Sequence, residues 1–472
     1  MKNIIRRSSI SLAVLAMLAG CAVGPDYKRP ALELPAAYAA APQGAATVAT
    51  TSPDATAWWT TFNDPVLNRV VDEALKNNLD IAAAAARVAE SQALLGLAIS
   101  DQLPSAYATA GSSRVRNSQA VPGAGQNGFP VESTTHRIAL NLSWEIDFWG
   151  KYRRASEAAR ADLMSVEANR NGVKLSLVTQ VVQGYFSLLA LDAEVVAIEE
   201  AVRRGNEALG LQQKRFDAGV ISEFDFQQRA AEVDSVLTQL PPLQSQRGRQ
   251  ERALAVLTGR TPRAIMEEKF YRSPTLTPVN PIVAPAGLPS DLLLRRPDLI
   301  EAEQKLAAAN ARIGVARAAY FPSISLTGLF GGESSALGDL FTGPARVWSF
   351  AGQLTQPLWG AGRVTRGVDV AEARNDQAVA AYRNAIANAF REVQDAIQAQ
   401  TAAREVNEIE QRRVTSLGKS WNLAKLRYEN GIANQLEVID AERQLLLAEM
   451  NRLEAERALR AAVADLYKAL GG

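Results

Sequence analysis

The stretch Arg215-Phe216-Asp217-Ala218-Gly219-Val220-Ile221 decides the fold, because it ends the longest helical pattern in this chain. No proline occurs between Lys151 and Phe216, and the apolar residues from Val173 to Val202 are spaced by threes and fours. That spacing is a heptad register, typical of a coiled coil. One uninterrupted helix over this range would be about 100 Å long at ~1.5 Å per residue.

The same stretch contains the signals of a helix end followed by a new helix. Gly219 supplies the residue with positive φ that a helix C-terminus favours. Ser222, with Asp225 three residues later, forms a capping pair that begins a return helix. We therefore predict a long helical hairpin over residues 150–259, with its tip at Gly219.

This hairpin is encoded twice. Trp149-Gly150 recurs as Trp359-Gly360, and the tip stretch recurs as Arg427-Tyr428-Glu429-Asn430-Gly431. Asn434 with Glu437 repeats the capping pair. Two tandem copies of about 200 residues indicate a duplication, since solenoid repeats are much shorter.

The N-terminus indicates export and lipidation. A basic segment precedes an apolar run from Ile10 to Ala19, which is too short to span a membrane and is typical of a signal peptide over residues 1–20. Leu18-Ala19-Gly20-Cys21 has the pattern of a bacterial lipobox, so we predict that Cys21 carries acyl chains that anchor the protein. The alternative is an ordinary signal with a fortuitous cysteine. Cys21 is the only cysteine, so no internal disulfide can form.

Two segments alternate between apolar and polar residues, as strands with two different faces do. The stronger runs from Ile138 to Phe148, and the second copy repeats the pattern from Ile324 to Phe330. Each predicted strand has about ten residues, which crosses a bilayer when tilted. Four tryptophans fit an interfacial aromatic girdle: Trp144, Trp149, Trp348 and Trp359. The alternative is a soluble antiparallel sheet.

With a weaker candidate strand at Ser105–Val115 and a fourth at Trp348–Leu358, each chain has four predicted strands. Four strands cannot close a barrel, and lipid does not tolerate open strand edges. If these strands span a membrane, several copies of the chain must pool them. Two, three or four copies would all satisfy this requirement, and the strand pattern does not choose among them.

The pattern predicts two repeats separated by a connector. The first repeat opens with an Asp64-Pro65 helix start, and the helix is expected to continue to about Ser100. Pro241-Pro242 should break the first return helix, and the second return helix has no proline there. The predicted segments are a tether over 21–62, a first repeat over 63–260 with a β-hairpin at 103–148, a proline-rich connector over 261–289, and a second repeat over 290–472 with a β-hairpin at 321–358 and a helical hairpin at 360–470.

Several motifs together resemble the outer-membrane factor family, the TolC-like group, and within it the OprM-like lipoprotein branch that serves resistance-nodulation-division efflux pumps. They are Trp58-Trp59, Asp64-Pro65, Leu288-Pro289-Ser290-Asp291-Leu292-Leu293, Arg295-Arg296-Pro297-Asp298 and the two tip turns. The resemblance covers essentially the whole chain.

The resemblance implies a mainly α protein with a membrane β-barrel portion, assembled as a homotrimer. Three copies would pool their strands into a 12-stranded barrel in the outer membrane, above a periplasmic tunnel of coiled-coil helices. It implies a passive exit duct for small toxic compounds, with a periplasmic adaptor and an inner-membrane transporter as partners. The open alternatives are a type I secretion conduit for polypeptides and a periplasmic scaffold without a pore.

Composition argues against catalysis and nucleic-acid binding. The formal charge is only +1, which does not support nucleic-acid binding. His136 is the only histidine, so neither a His-based triad nor a metal site with two imidazoles can form within one chain. Residues 123–128 match G-x-G-x-x-G, but Pro122 and Pro130 flank them and no βαβ unit surrounds them. We expect no cofactor and no metal.

The two tips are the candidate functional sites. Asp217 and Glu429 occupy corresponding positions, and in a trimer they would place six carboxylates around a constriction. Arg215 and Arg427 could pair with these acids and hold the end shut. The alternative is ordinary solvated acids at a helix end.

The turns themselves are the candidate surface for the adaptor. Gly219 and Gly431 should give each turn the shape that an adaptor recognises. Four apolar side chains nearby are either local packing or adaptor contacts: Phe216, Tyr428, Phe224 and Leu436.

Overall fold

The computed structural model describes residues 22–31, 57–118, 120, 131–267, 270–273 and 292–472. The predicted signal peptide, Cys21, the glycine-rich motif at 123–128, and most of the tether and connector lie outside the described residues.

The described residues form ten α-helices and one four-stranded sheet. The helices are α1 (Pro65–Asn77), α2 (Leu79–Ser100), α3 (Lys151–Asp217), α4 (Glu223–Leu237), α5 (Leu240–Leu257), α6 (Pro262–Glu267), α7 (Leu292–Arg295), α8 (Pro297–Ala318), α9 (Arg363–Glu429) and α10 (Gln435–Leu470). The expected mainly helical fold is confirmed.

The first helix does not continue to Ser100 as expected, because Asn78 interrupts it. Asn78 has an extended backbone, with ψ of 133°. Its side-chain oxygen accepts hydrogen bonds from the backbone N–H groups of Asp80, at 2.8 Å, and Ile81, at 3.2 Å. Asn78 is therefore the N-cap of a new helix, and the prediction of one helix was wrong.

Both long helices end in turns of the predicted kind. Gly219 and Gly431 have φ of 69° and 72°. Ser222 accepts a hydrogen bond from the Asp225 N–H at 3.1 Å, and Asn434 accepts one from the Glu437 N–H at 3.0 Å. These contacts begin α4 and α10 where the capping pairs indicated.

The two return helices differ as the prolines predicted. The first is divided into α4 and α5, with Thr238 and Gln239 between them. Pro241 and Pro242 have no N–H to donate to the preceding turn, so two rungs of the hydrogen-bond ladder are missing. The second return helix, α10, is unbroken over 36 residues.

The sheet has the order β1-β2-β3-β4, and all neighbouring strands are antiparallel. Its strands are β1 (Ser105–Arg116), β2 (Glu132–Ile146), β3 (Ser323–Ser334) and β4 (Arg346–Thr355). Leu140 faces Phe330, and Phe330 faces Trp348, so large apolar side chains share one exposed face. Within the described residues, β1 and β4 each have one edge without a strand partner.

By its contacts the chain divides into two compact units, and each takes segments from both predicted repeats. One contains the sheet and comprises Met1–Ala31, Arg87–Val166 and Glu301–Tyr382; the other comprises Leu32–Ala86, Glu167–Ile300 and Arg383–Gly472. Duplicated segments are thus interleaved in the fold. The repeat boundaries at 63–260 and 290–472 remain predictions.

The second unit contains the main apolar core. Its members come from the Trp58–Phe62 turn and from α1, α3, α5 and α10, and include Trp58, Phe62, Leu67, Val181, Tyr185, Leu188, Leu254 and Ala464. Burying each large apolar side chain stabilises the fold by about 1.5–3 kcal/mol. By length and composition, α2 and α3 could also cross a membrane, but half of the apolar window of α3 is buried in this packing.

In the first unit, residues 22–31 form a strap that lies along the protein. The Val23 N–H donates to the carbonyl of Trp149 at 3.1 Å. Arg29 donates two hydrogen bonds of 2.7 Å to the carboxylate of Glu303. A Cβ on Gly314 would lie 2.7 Å from the carbonyl oxygen of Val23, so only glycine permits this crossing. The described part of the predicted tether is therefore docked.

Candidate functional site

The two tip turns have the same backbone hydrogen bonds, as expected for duplicated segments. In the first, the Val220 N–H donates to the Arg215 carbonyl at 2.8 Å. In the second, the Ile432 N–H donates to the Arg427 carbonyl at 2.9 Å. These bonds, with glycine at positive φ, satisfy the last carbonyls of α3 and α9.

The side chains of the tips are not equivalent, because Tyr428 of the second tip is held by the first long helix. Arg215 Nη1 donates to the Tyr428 hydroxyl at 2.7 Å, and its guanidinium lies 5.5 Å from the centre of the tyrosine ring. The buried Gln212 side chain lies 2.9 Å from the same hydroxyl. One phenol thus joins the end of α9 to the end of α3, and we call these three residues the tip latch.

The charged candidates are distributed differently from the expected pairs. Asp217 accepts a hydrogen bond from Gln213 at 2.8 Å, and Arg427 lies 3.8 Å from the carboxylate of Glu437. Glu429 is 4.0 Å from the ammonium of Lys425. Within one chain, therefore, Arg215 and Arg427 contact Tyr428 and Glu437 rather than Asp217 and Glu429. A ring of six carboxylates between copies stays a prediction.

The structure separates the apolar candidates into two groups. Phe216 stacks on Phe226, with ring centres 5.6 Å apart, and Tyr428 belongs to the tip latch. Phe224 and Leu436 are 72% and 54% exposed. Phe216 is thus local packing, whereas Phe224 and Leu436 are free to meet another molecule.

Behind the tips, two ion pairs join α4 to α10, and no sequence pattern predicts them. Arg229 Nη1 lies 2.8 Å from the Glu442 carboxylate, and both side chains are largely buried. Arg443 pairs with Glu232 in the opposite sense. The partners are over 200 positions apart, so no helical spacing could have revealed them. Gln212 was missed too, although it lies one turn before Arg215.

The Arg-Arg-Pro-Asp motif joins three helices. Buried Arg296 donates to the Ala469 carbonyl near the end of α10 at 2.9 Å and pairs with Asp298 and Glu392. An adjacent cleft of about 530 Å³ is lined by residues that include Gly172, Asp395 and Asp465. Burial raises the pKa of Asp465, partly offset by a hydrogen bond from Gln183. The motif is structural in this setting.

Nothing in the described part of the chain resembles a metal centre. No group of three or more His, Cys, Asp or Glu side chains there could hold an ion. His136 lies within β2, opposite Ser334 of β3.

A family model described as "Outer membrane efflux protein" matches residues 70–260 and 288–472. The chain is 33% identical to the cation efflux system protein CusC of Escherichia coli O6:H1 over 98% of both chains. It is 34% identical to the toluene efflux pump outer membrane protein TtgC of Pseudomonas putida, over 99% of this chain and 96% of TtgC. The crystal structure of the Campylobacter jejuni CmeC outer membrane channel superposes with a TM-score of 0.88 at 29% identity, covering 96% of this chain and 95% of CmeC.

Proposed function

This chain belongs to the outer membrane efflux protein family, and from that membership we propose that it forms the outer-membrane duct of a tripartite pump that exports small toxic compounds. Its relatives are efflux channels, which favours efflux over type I secretion. The names of two relatives refer to substrates as different as cations and toluene. Because such similar ducts serve different substrates, we propose that the transporter, rather than the duct, selects what is exported. The duct itself performs no reaction.

The observation that carries this proposal is the sheet. It has an apolar exposed face and two strand edges without partners among the described residues. Lipid does not tolerate such edges, because their N–H and C=O groups would have no partner. Three copies, joined edge to edge, would close a 12-stranded barrel with polar side chains such as Asn141, Ser325 and Gln353 toward the lumen.

Cys21 lies outside the described residues, and we propose that it is acylated. Two observations support this: the lipobox in the sequence, and the relative named as the probable outer membrane lipoprotein SilC of Salmonella typhimurium. The docked strap that follows would hold the acylated end beside the protein. The chain is then a lipid-anchored outer-membrane protein that extends into the periplasm.

We propose that the tips close the duct at its periplasmic end and that the tip latch helps to hold them closed. Opening requires α9 to leave α3 there, which breaks the hydrogen bonds of the Tyr428 hydroxyl. A hydrogen bond to a charged group contributes about 1.5–3 kcal/mol. A periplasmic adaptor that binds the exposed Phe224 and Leu436 would supply this energy. An inner-membrane transporter of the resistance-nodulation-division class would in turn deliver the substrate to the duct.

Conductance across planar bilayers tests the pore and the gate together. The wild type should insert as a trimer with low conductance. Tyr428→Phe, which keeps the ring and removes the acceptor, should raise the open fraction about tenfold or more, since 1.4 kcal/mol corresponds to a factor of ten. Tyr271→Phe, at an exposed tyrosine away from the tips, is the matched control. A trimer that never conducts, even with its adaptor present, would exclude a duct, and equal conductance of wild type and Tyr428→Phe would exclude the latch.

Deleting the gene separates efflux from secretion. We expect lower tolerance to toxic compounds and unchanged export of polypeptides. Loss of a secreted polypeptide with unchanged tolerance would instead support type I secretion.

A further inference from the structure

Resting on the proposed gate, we propose that α4 moves with the second hairpin when the duct opens, and that the ion pairs Arg229–Glu442 and Glu232–Arg443 couple α4 to α10. In this view α4 is a lever. It belongs to the first hairpin by sequence and to the second by its strongest contacts.

Two ion pairs attach α4 to α10. Arg229 and Glu442 are 2.8 Å apart, with only 5% and 16% of their side chains exposed. Glu232 and Arg443 cross this pair in the opposite sense, so each helix gives one cation and one anion. Separating a largely buried pair leaves both charges without a partner, which is far costlier than separating apolar surfaces by the same distance.

The contact between α4 and α3 is mainly apolar. Phe226 stacks on Phe216, and Val233 packs against the backbone at Gly205, where the Arg229 guanidinium also lies 3.8 Å from the position of a Cβ. A Cβ built on Gly205 would lie 3.0 Å from Val233 Cγ2, so the absence of a side chain lets α4 approach closely and leaves a smooth surface. Such surfaces allow small shear displacements.

The junction between α4 and α5 would act as a hinge. Just after α4 ends, Pro241 and Pro242 lack the N–H groups that would otherwise bond to the preceding turn, so fewer backbone hydrogen bonds oppose a tilt of α4 relative to α5. An apolar cluster surrounds this level of the fold and comes from α3, α5, α10 and the end of α4: Ile198, Ala201, Leu446, Val236, Leu240 and Leu243. We expect α4 to pivot about this cluster.

A disulfide that pins α4 to α3 tests the lever. In Gly205→Cys with Val233→Cys, the two Cβ atoms would be 3.9 Å apart, close to the ~3.8 Å typical of disulfides. In cells that contain the complete pump, the oxidised pair should lower tolerance to a toxic compound that the deletion strain no longer withstands, down to the tolerance of the deletion strain. In bilayers, oxidation should lower the conductance of the Tyr428→Phe channel about tenfold or more, and dithiothreitol should restore it. Equal function of the oxidised and reduced channels in both assays would overturn the lever.

A second set of substitutions tests the coupling residues. Arg229→Met with Glu442→Leu replaces the buried pair by apolar side chains, which preserves folding because no charge is left alone. Glu232→Gln with Arg443→Gln removes the other pair and again leaves no charge without a partner. With these four changes, the oxidised disulfide should no longer prevent opening, because α10 can leave without α4. If the oxidised channel stays closed, the ion pairs do not couple the helices.

These assays also keep the lever and the latch apart. A disulfide that blocks export in cells, together with a Tyr428→Phe channel that stays closed in bilayers, would refute the latch and support the lever. A Tyr428→Phe channel that opens regardless of oxidation, in cells that export normally, would support the latch and refute the lever.

Discussion

The two long helices α3 and α9 both have 67 residues and corresponding places in the duplicated sequence, yet their surroundings differ. The middle of α3 is buried by its own chain, including Val181, Leu188 and Ile198. Most of α9 is exposed, including apolar side chains such as Ile409 and Leu423. The apolar side chains of the long helix are thus covered by the same chain in the first repeat, whereas many of those in the second repeat are exposed.

From this difference we infer that duplication here produced one helix for folding and one for assembly between copies. An exposed apolar stripe along a helix of this length is unfavourable in water, so we infer that neighbouring copies cover part of α9. The comparison therefore predicts that substitutions in α3 act on the folded protomer and substitutions in α9 act on the trimer.

The largest effect is expected from a charge on the exposed stripe of α9. Ile409→Arg should leave the helix content unchanged and abolish the trimer, because burying an unpaired charge in a subunit interface costs several kcal/mol per copy. Heat-sensitive trimer bands and sedimentation would measure the loss. Gln411→Arg adds the same charge about 200° around the helix and should assemble normally. If the two variants assemble equally, Ile409 does not face a neighbour.

A cavity in α3 should produce the next largest effect. Leu188 is fully buried, so Leu188→Ala should lower the free energy of unfolding by about 2–5 kcal/mol. Leu423→Ala, at a leucine of α9 that is 60% exposed in the protomer, should change the stability of a dissociated protomer by at most about 0.5 kcal/mol. Thermal unfolding of detergent-dispersed protomers compares them. Equal losses would contradict the division between folding and assembly.

The hydroxyl groups of two buried tyrosines, one on α3 and one on α9, allow the two helices to be compared through single hydrogen bonds. The Tyr185 hydroxyl on α3 donates to the Asp64 carboxylate at 2.9 Å, whereas the buried Tyr382 hydroxyl on α9 has no hydrogen-bond partner in the described chain. Tyr185→Phe should therefore cost about 1.5–3 kcal/mol, and Tyr382→Phe should be neutral or slightly stabilising. Chemical denaturation measures both. A loss at Tyr382 as large as that at Tyr185 would show that its hydroxyl gains a partner.

The smallest effect concerns Glu194 on α3. Burial raises the pKa of this carboxyl, and the nearby Glu454 carboxylate raises it further, against the opposing effect of Arg457. Because the folded pKa exceeds the unfolded one, the protonated form favours folding, and this stability is lost as pH rises through the folded value. Glu194→Gln should therefore raise the Tm slightly at pH 7, and the gain should vanish below about pH 4.3. A gain that is independent of pH would assign the effect to something other than ionisation.

The local features of the fold were predictable, because they rest on neighbouring residues. Helix ends are marked by short-range hydrogen bonds and turn residues at Gly219, Ser222 and Asn434. The break between α4 and α5 follows from Pro241-Pro242, because proline has no backbone N–H. The interruption at Asn78 was missed because the apolar pattern continues through it. Only the capping pattern of Asn78 before Asp80 could have revealed it.

Contacts between distant segments were not predictable. The hydrogen bonds of Tyr428 with Arg215 and Gln212 depend on how α3 and α9 are positioned, and one sequence gives no information on that. The expected partners of Arg215 and Arg427 were chosen by proximity along the chain. In the fold, more distant groups compete better, because neighbouring side chains at the end of a helix point in different directions.

Trp149 and Trp359, which correspond in the two repeats, give the chain an optical signal of its own assembly. The Trp149 ring is stacked on Phe321, with its N–H bonded to the Pro322 carbonyl, and Trp359 is 88% exposed in the protomer. Indole fluorescence shifts to shorter wavelengths when water leaves the ring. If lipid or a neighbouring copy covers Trp359, its emission should turn blue while that of Trp149 stays constant, so insertion can be followed in real time without a dye.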